Sequence, residues 1–191
     1  MSRILAGRGR GRRLQSPKGQ GTRPTGSRVK QTLFDILAPA IPGCRFLDPF
    51  AGNGGIGLEA LSRGAARVVL VDASGPAVAS IRENVSALRS LGGDVQVLRQ
   101  DARVALAGLA AQGWRFDVVY LDPPYESDLY EAVLELVGAR RLLDDAGVLV
   151  VEHFHKRALP ETIGGLCRRR TVRVGDHLLS FYRWEEGVEA P

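Results

Sequence analysis

Cysteine is scarce in this 191-residue chain: Cys44 and Cys167 lie far apart and outside any CxxC spacing. That excludes a disulfide framework and a thiolate metal site, and both read as buried, reduced thiols. No apolar run approaches the length of a membrane span, and the start lacks the apolar core of a secretory signal, so a cytoplasmic protein is expected. The three histidines, His153, His155 and His177, show no ligand spacing, and no metal is expected. His153 and His155 alternate along a strand end and read as rim or surface residues. Acid is also missing where it would matter. Residues 1–30 carry nine of the 26 basic residues and none of the 21 acids, leaving 17 against 21, a net −4, in the rest. An acidic body behind a basic N-terminus points to a polyanion partner, because clustered Lys and Arg gain affinity by displacing condensed counterions.

What is present alternates. Short apolar runs at Arg45–Asp48, Arg67–Asp72, Val95–Gln100, Phe116–Asp122 and Val148–Glu152 read as strands. Between them Ile56–Arg63, Pro76–Leu91, Arg103–Ala111 and Leu129–Val137 read as helices, with Pro76 in a first turn after Ser74. Runs such as Val68–Val71 are apolar throughout, which suits a parallel sheet covered on both faces. Cys167–Val174 and His177–Trp184 flank Gly175-Asp176 and read as an antiparallel hairpin. The predicted fold is therefore α/β and doubly wound, with an antiparallel edge. Residues 1–26 form a basic arm or β-hairpin, and 27–191 form the main domain. An early helix from Ser27, capped by that serine and stopped by Pro39 and Pro42, opens the main domain.

The glycines at 52, 54 and 57 fit Gly-x-Gly-x-x-Gly after a strand that ends in Asp48, the turn that lies under a nucleotide-like ligand. Alone the motif is weak. Four strand-like runs, however, end in or are closely followed by an acid: Asp48, Asp72, Asp101 and Asp122. One such acid is usually a helix cap; four on one rim repel each other and call for a cationic, donor-rich ligand. Asp72, twenty residues after Gly52, suits a ribose diol. Asp48 would repel a pyrophosphate but favours ammonium and sulfonium charge, which prefers S-adenosyl-L-methionine over NAD. Asp101 and Ala102 are placed to read an adenine edge. Asp122-Pro123-Pro124-Tyr125 is the most specific stretch. Its two prolines stiffen the backbone so that Asp122 and the Pro123 carbonyl can accept from an exocyclic amine, with Tyr125 a flat face for a base.

Phe46–Gly54 together with Asp122–Tyr125 resembles the S-adenosylmethionine-dependent amino-methyltransferases. Arg23-Pro24-Thr25-x-x-Arg28-Val29-Lys30-x-Thr32-Leu33-Phe34, with Arg3–Gly7 and Arg10–Leu14, narrows the resemblance to the bacterial 16S ribosomal RNA guanine-N2 methyltransferases of the RsmD type. It departs from their pattern at Ser27, Gln31, Asp35 and Asp72. The resemblance covers nearly the whole chain. It implies a Rossmann-like class I methyltransferase with a mostly parallel seven-stranded sheet, a C-terminal antiparallel hairpin and an N-terminal β-hairpin. It implies cofactor contacts from Arg23, Thr25, Asp48, Phe50, Ala51, Gly52, Asn53, Gly54, Asp72, Asp101, Ala102 and Asp122. Catalysis falls to Asp122, Pro123, Pro124 and Tyr125 on a flipped guanine. RNA contacts fall to Arg3, Arg8, Arg10, Arg12, Arg13, Arg28 and Lys30. The partner is 16S rRNA, in the small subunit or an assembly intermediate, and the enzyme a monomer. Competing readings are an adenine-N6 or other nucleic-acid amino-methyltransferase, a non-catalytic RNA-binding assembly factor, and an NAD-dependent oxidoreductase. Arg168–Arg170 reads as a solvated charge run or an extension of the RNA surface.

Overall fold

The computed structural model describes residues 2–17, 26–124 and 128–185. Five strands, β1 (Arg45–Asp48), β2 (Arg67–Asp72), β3 (Asp94–Arg99), β4 (Phe116–Leu121) and β5 (Leu143–Phe154), pair in parallel. Three more, β6 (Thr162–Ile163), β7 (Leu166–Val174) and β8 (His177–Trp184), extend the sheet antiparallel. The strand order is β3-β2-β1-β4-β5-β8-β7-β6. The chain thus winds outward one way from β1 and the other way from β4. Their carboxyl ends meet at the crevice where such sheets bind ligands.

Helices α1 (Ser27–Leu37), α2 (Gly57–Ser62) and α3 (Gly75–Ala87) cover one face; α4 (Ala102–Ala111) and α5 (Leu129–Ala139) cover the other. β2 shows why its residues choose this position. Val68 and Leu70 pack into one core, Val69 and Val71 into the other, and all four are fully buried. A run without polar alternation can be satisfied only between two helical layers.

Three local expectations need correction. Among the described residues the sheet has eight strands rather than seven. Gly164 and Gly165, both at positive φ (56° and 80°), make a two-residue turn that folds Thr162–Ile163 back onto Leu166–Cys167 as a further edge strand. β5 opens at Leu143, five residues before Val148, because a register shift between Phe116 and Val118 lets Leu143 pair with Phe116. Helix α1 is capped by Gly26 with no side-chain bond, so Ser27 lies inside the first turn rather than at the cap.

The N-terminal segment makes a tight antiparallel loop closed by an Arg3–Arg13 bridge. It is docked onto α2 and α3, with Ile4 and Leu14 buried in the same core as Phe34 and Leu58. Glu59 of α2 is fully buried and accepts from the backbone N–H groups of Leu5 (2.7 Å) and Ala6 (2.9 Å), from Arg63 Nε (2.8 Å) and from Lys30 Nζ (3.1 Å). The Ser62 hydroxyl adds a bond from Gly9 N–H and one to the Ala6 carbonyl. A carboxylate surrounded by four donors satisfies both its charge and its lone pairs, which is the condition for burying one.

Candidate active site

Asp48 ends β1 and the chain turns at once through Pro49–Ile56. Gly52 and Gly54 hold φ of 57° and 79°, a conformation that costs L-residues energy, and a Cβ on Gly57 would sit 2.3 Å from Leu70 Cδ2. The loop is tied to its neighbour strand: Ala51 N–H donates to Val71 O at 2.9 Å, and Gly52 N–H to Asp72 Oδ2 at 2.8 Å. Asp72 Oδ1 accepts from Ser74 N–H at 2.8 Å. Both carboxylate oxygens are thereby fixed in direction, each with a lone pair left for a ligand.

A cavity of about 540 Å³ opens at the β1/β4 crevice. Asp48, Phe50, Ala51, Gly52, Asn53, Asp72, Asp101, Ala102, Asp122, Pro123 and Pro124 line it, so most of the expected site residues converge. Gly54 is buried behind the loop rather than on the wall. Arg23, Thr25 and Tyr125 lie outside the described residues. Asp101 caps α4 by accepting from Arg103 N–H, and the Arg103 guanidinium grips the same carboxylate through Nε and Nη2, each at 3.0 Å, which holds its pKa low. The Pro123 carbonyl accepts from Tyr130 Oη at 3.1 Å, which fixes its direction and leaves its second lone pair.

The electrostatics are those of a site built to receive positive charge. Burial pushes the Asp48 carboxyl up to about 7, with Asp72 adding to the rise and the Phe50 and Gly57 N–H groups opposing it. Asp122 is pushed well above the usual carboxylate range, by burial first and then by the charges of Glu152 and Asp48. Tyr120, also on the cavity wall, donates its hydroxyl to Glu152, and burial followed by the Glu152 charge raises it well above 10.0.

The sequence reading missed Tyr120 and Glu152. The signal was available, since Tyr120 and Asp122 are two apart on one strand, and Glu152 is a lone charge closing Val148-Leu149-Val150-Val151. Lys30 is a correction. It is 4% exposed, paired with Glu59, and donates to Arg3 O (2.7 Å) and Gly55 O (3.3 Å), so it ties the arm to the glycine loop and cannot reach a phosphate. Burial lowers its pKa. His153 is likewise not a rim residue; it is buried, with Nε2 2.9 Å from Ser180 Oγ. By contrast Arg3, Arg8, Arg10, Arg12, Arg13 and Arg28 are exposed. Arg12 reaches the C-terminus of α3, donating to Ala87 O at 2.5 Å.

A doubly wound sheet that carries an acid–glycine loop and Asp-Pro-Pro across its switch point defines a class I, Rossmann-like methyltransferase dependent on S-adenosylmethionine. Solved structures agree on the architecture. A hypothetical protein of Thermus thermophilus superposes with a TM-score of 0.82 at 35% identity, over 96% of this chain and 99% of its own. The 16S rRNA N2 G1207 methyltransferase RsmC of T. thermophilus, solved with AdoMet and guanosine, matches at TM-score 0.69 and 23% identity over 87% of this chain and 45% of its own, a likeness of fold. The chain belongs to the family described as Conserved hypothetical protein 95, whose model matches residues 2–183. Among its relatives is the ribosomal RNA small subunit methyltransferase D of Escherichia coli K12, 37% identical over 188 residues, 98% of this chain and 92% of the relative. The protein of that name from Haemophilus influenzae is 37% identical over 150 residues, 78% of this chain and 77% of the relative.

Proposed function

We propose that this chain transfers a methyl group from S-adenosyl-L-methionine to the exocyclic N2 of a guanine in 16S ribosomal RNA, acting in the cytoplasm as a monomer. The observation that carries the reading is the meeting of Asp48 and its glycine loop with Asp122-Pro123-Pro124 across the β1/β4 switch. The methyl donor fits what is present: a cavity of ligand size, a buried acid whose ionisation waits for a cation, and a glycine turn that leaves room above it. When bound, S-adenosyl-L-methionine supplies an electrophilic methyl group on a sulfonium.

Asp48 and the Phe50–Asn53 turn would hold the methionine part, Asp72 the ribose diol, and the Asp101–Ala102 turn the adenine. With the Asp101 carboxylate engaged by Arg103, the Ala102 backbone N–H is the better adenine contact. Asp122 and the Pro123 carbonyl accept from the amine N–H bonds and aim its lone pair into the cavity, so positioning carries most of the rate. The methyl replaces one amine hydrogen, which leaves as a proton, and Asp122 is the acceptor nearest to hand. Ser2, Ser16 and Pro17 of the arm line the same cavity, so the segment that carries the exposed arginines adjoins the site a flipped base would enter.

Mass-spectrometric mapping of small-subunit RNA from a strain lacking this chain tests the assignment. One guanine should lose its N2 methyl group and regain it on treatment with the protein and S-adenosyl-L-methionine. A full complement of guanine-N2 methylation in that strain would defeat the reading, and restoration at an adenine would move the substrate.

A further inference from the structure

Behind Asp122 lies a row of polar groups that the mechanism above leaves unused. Side chains two apart on a strand share a face, so Tyr120 and Asp122 of the β4 segment point the same way, into the layer that also holds Asp48. The register aligns Tyr120 with Val150 and Glu152 with Leu179, and it sets His177 opposite Phe154. Tyr120, Glu152 and His177 therefore run diagonally across β4, β5 and β8 on one face, each two positions beyond the last. The row is in contact throughout: Tyr120 Oη donates to Glu152 Oε2, and His177 Nδ1 lies 2.8 Å from Glu152 Oε1, at ion-pair distance. Its depth is graded. Tyr120 and Glu152 are 1% exposed, whereas the His177 side chain is 23% exposed at the outer end.

The charges in this layer are one-sided. Asp48 from β1, Asp122 from the end of β4 and Glu152 from β5 are acids, and Tyr120 is a neutral phenol. Lys30, which α1 brings to the same side, is committed to Glu59. Among the described groups acting on Glu152, His177 is the one that can become positive. A buried acid with no task is generally outperformed by an apolar side chain of the same volume.

We propose that Tyr120–Glu152–His177 is a charge-setting relay for Asp122: a proton on His177 neutralises Glu152, and Asp122 is then free to ionise and take the proton of the methylated amine. This deepens the methyltransferase reading and rests on it for the role of Asp122. Glu152 and His177 touch neither cofactor nor base in this scheme; they are positioning residues. Burial is the first cause of the raised pKa of both Asp122 and Glu152; the Glu152 charge adds to the rise at Asp122, while Tyr120 and His177 oppose it at Glu152.

The test is a pair of variants read in two ways. Carbon-13 carboxyl labels at Asp and Glu follow titration in the free protein by NMR, and the acidic limb of kcat for methyl transfer to small-subunit RNA follows the same ionisation in turnover. Glu152→Gln removes the repelling charge and should lower the Asp122 midpoint by about one pH unit or more. His177→Gln removes the neutralising cation and should raise the midpoints of the Asp122–Glu152 pair. The acidic limb should move with each, in opposite directions, which a merely structural role would not produce. Should Glu152→Gln fail to fold, the His177 variant, at the more exposed end of the row, carries the test alone. Midpoints that stay in place, or move the same way in both variants, overturn the relay while a methylating wild type leaves the enzyme reading intact. Opposed shifts in the two variants, alongside a wild type that transfers no methyl group, support the charge coupling and overturn the enzyme reading instead.

Discussion

Asp48→Asn separates what the site does for stability from what it does for binding. Asp48 is 1% exposed, and burial raises its carboxyl from the ordinary 3.8 to about 7. The folded pKa lies above the unfolded one, so between those values the unfolded chain has released a proton that the native protein retains. Stability must then fall as pH rises from about 4 to about 7, and stay lowered above. At about 1.4 kcal/mol per pH unit, a rise of roughly three units costs on the order of 4 kcal/mol at pH 8. Asparagine keeps an oxygen for the Phe50 N–H and never ionises. Urea unfolding of the ligand-free protein at pH 4.5, 6 and 8 should show Asp48→Asn gaining stability over wild type as pH rises, with little difference at the acidic end. The same variant should bind S-adenosyl-L-methionine more weakly, and wild-type affinity should climb with pH through about 7 as binding expels the proton. An asparagine variant less stable than wild type at pH 8, or a difference that ignores pH, would refute the reasoning.

Asp122→Ala should abolish methyl transfer while calorimetry still detects cofactor binding close to wild type; wild-type turnover would remove Asp122 from the mechanism. Glu59→Gln leaves Lys30 buried without its counter-charge and turns an amide toward backbone donors. A loss of about 3–5 kcal/mol in denaturant unfolding is expected, and a loss below about 1 kcal/mol would show the arm is held by apolar packing alone. Arg10→Glu with Arg13→Glu should weaken RNA binding and flatten its salt dependence, by about one unit of log–log slope for each phosphate no longer neutralised, without altering cofactor affinity. An unchanged salt slope would take these arginines off the RNA path.

The readability of the fold follows the range of the forces involved. β2 declared itself because four consecutive buried apolar residues have few other homes, and the acid–glycine turn because its backbone restricts which residues fit. Edges were less legible. β6 is two residues long and exists through the Gly164–Gly165 turn and the partner it finds in β7. Lys30 illustrates the limit for the site. As a basic residue on an early helix it reads as a phosphate contact, and only the approach of Glu59, from 29 positions later, turns it inward. Glu152 and His177 are invisible as a pair until the antiparallel register of β5 and β8 is known, because 25 positions and a hairpin separate them.

The arm and the pocket are linked more closely than a basic tail on a catalytic domain would suggest. Asn84 of α3 accepts from Gln15 N–H at 2.8 Å and donates to the carbonyls of Gln15 and Asn53, each at 3.0 Å. Asn53 Nδ2 also lies 3.3 Å from the Gln15 carbonyl. One buried amide therefore joins the end of the arm, the glycine loop and the third helix, and Lys30 joins the other end of the arm to Gly55. Movement of the arginine-bearing segment must displace the loop or leave buried polar groups unpaired, at about 1–3 kcal/mol each. RNA binding and cofactor binding should accordingly be coupled with positive sign. The same hydrogen bonds that order the loop over the methyl donor hold the arm in the shape that RNA would meet. Occupying either site thus lowers the cost of ordering the other.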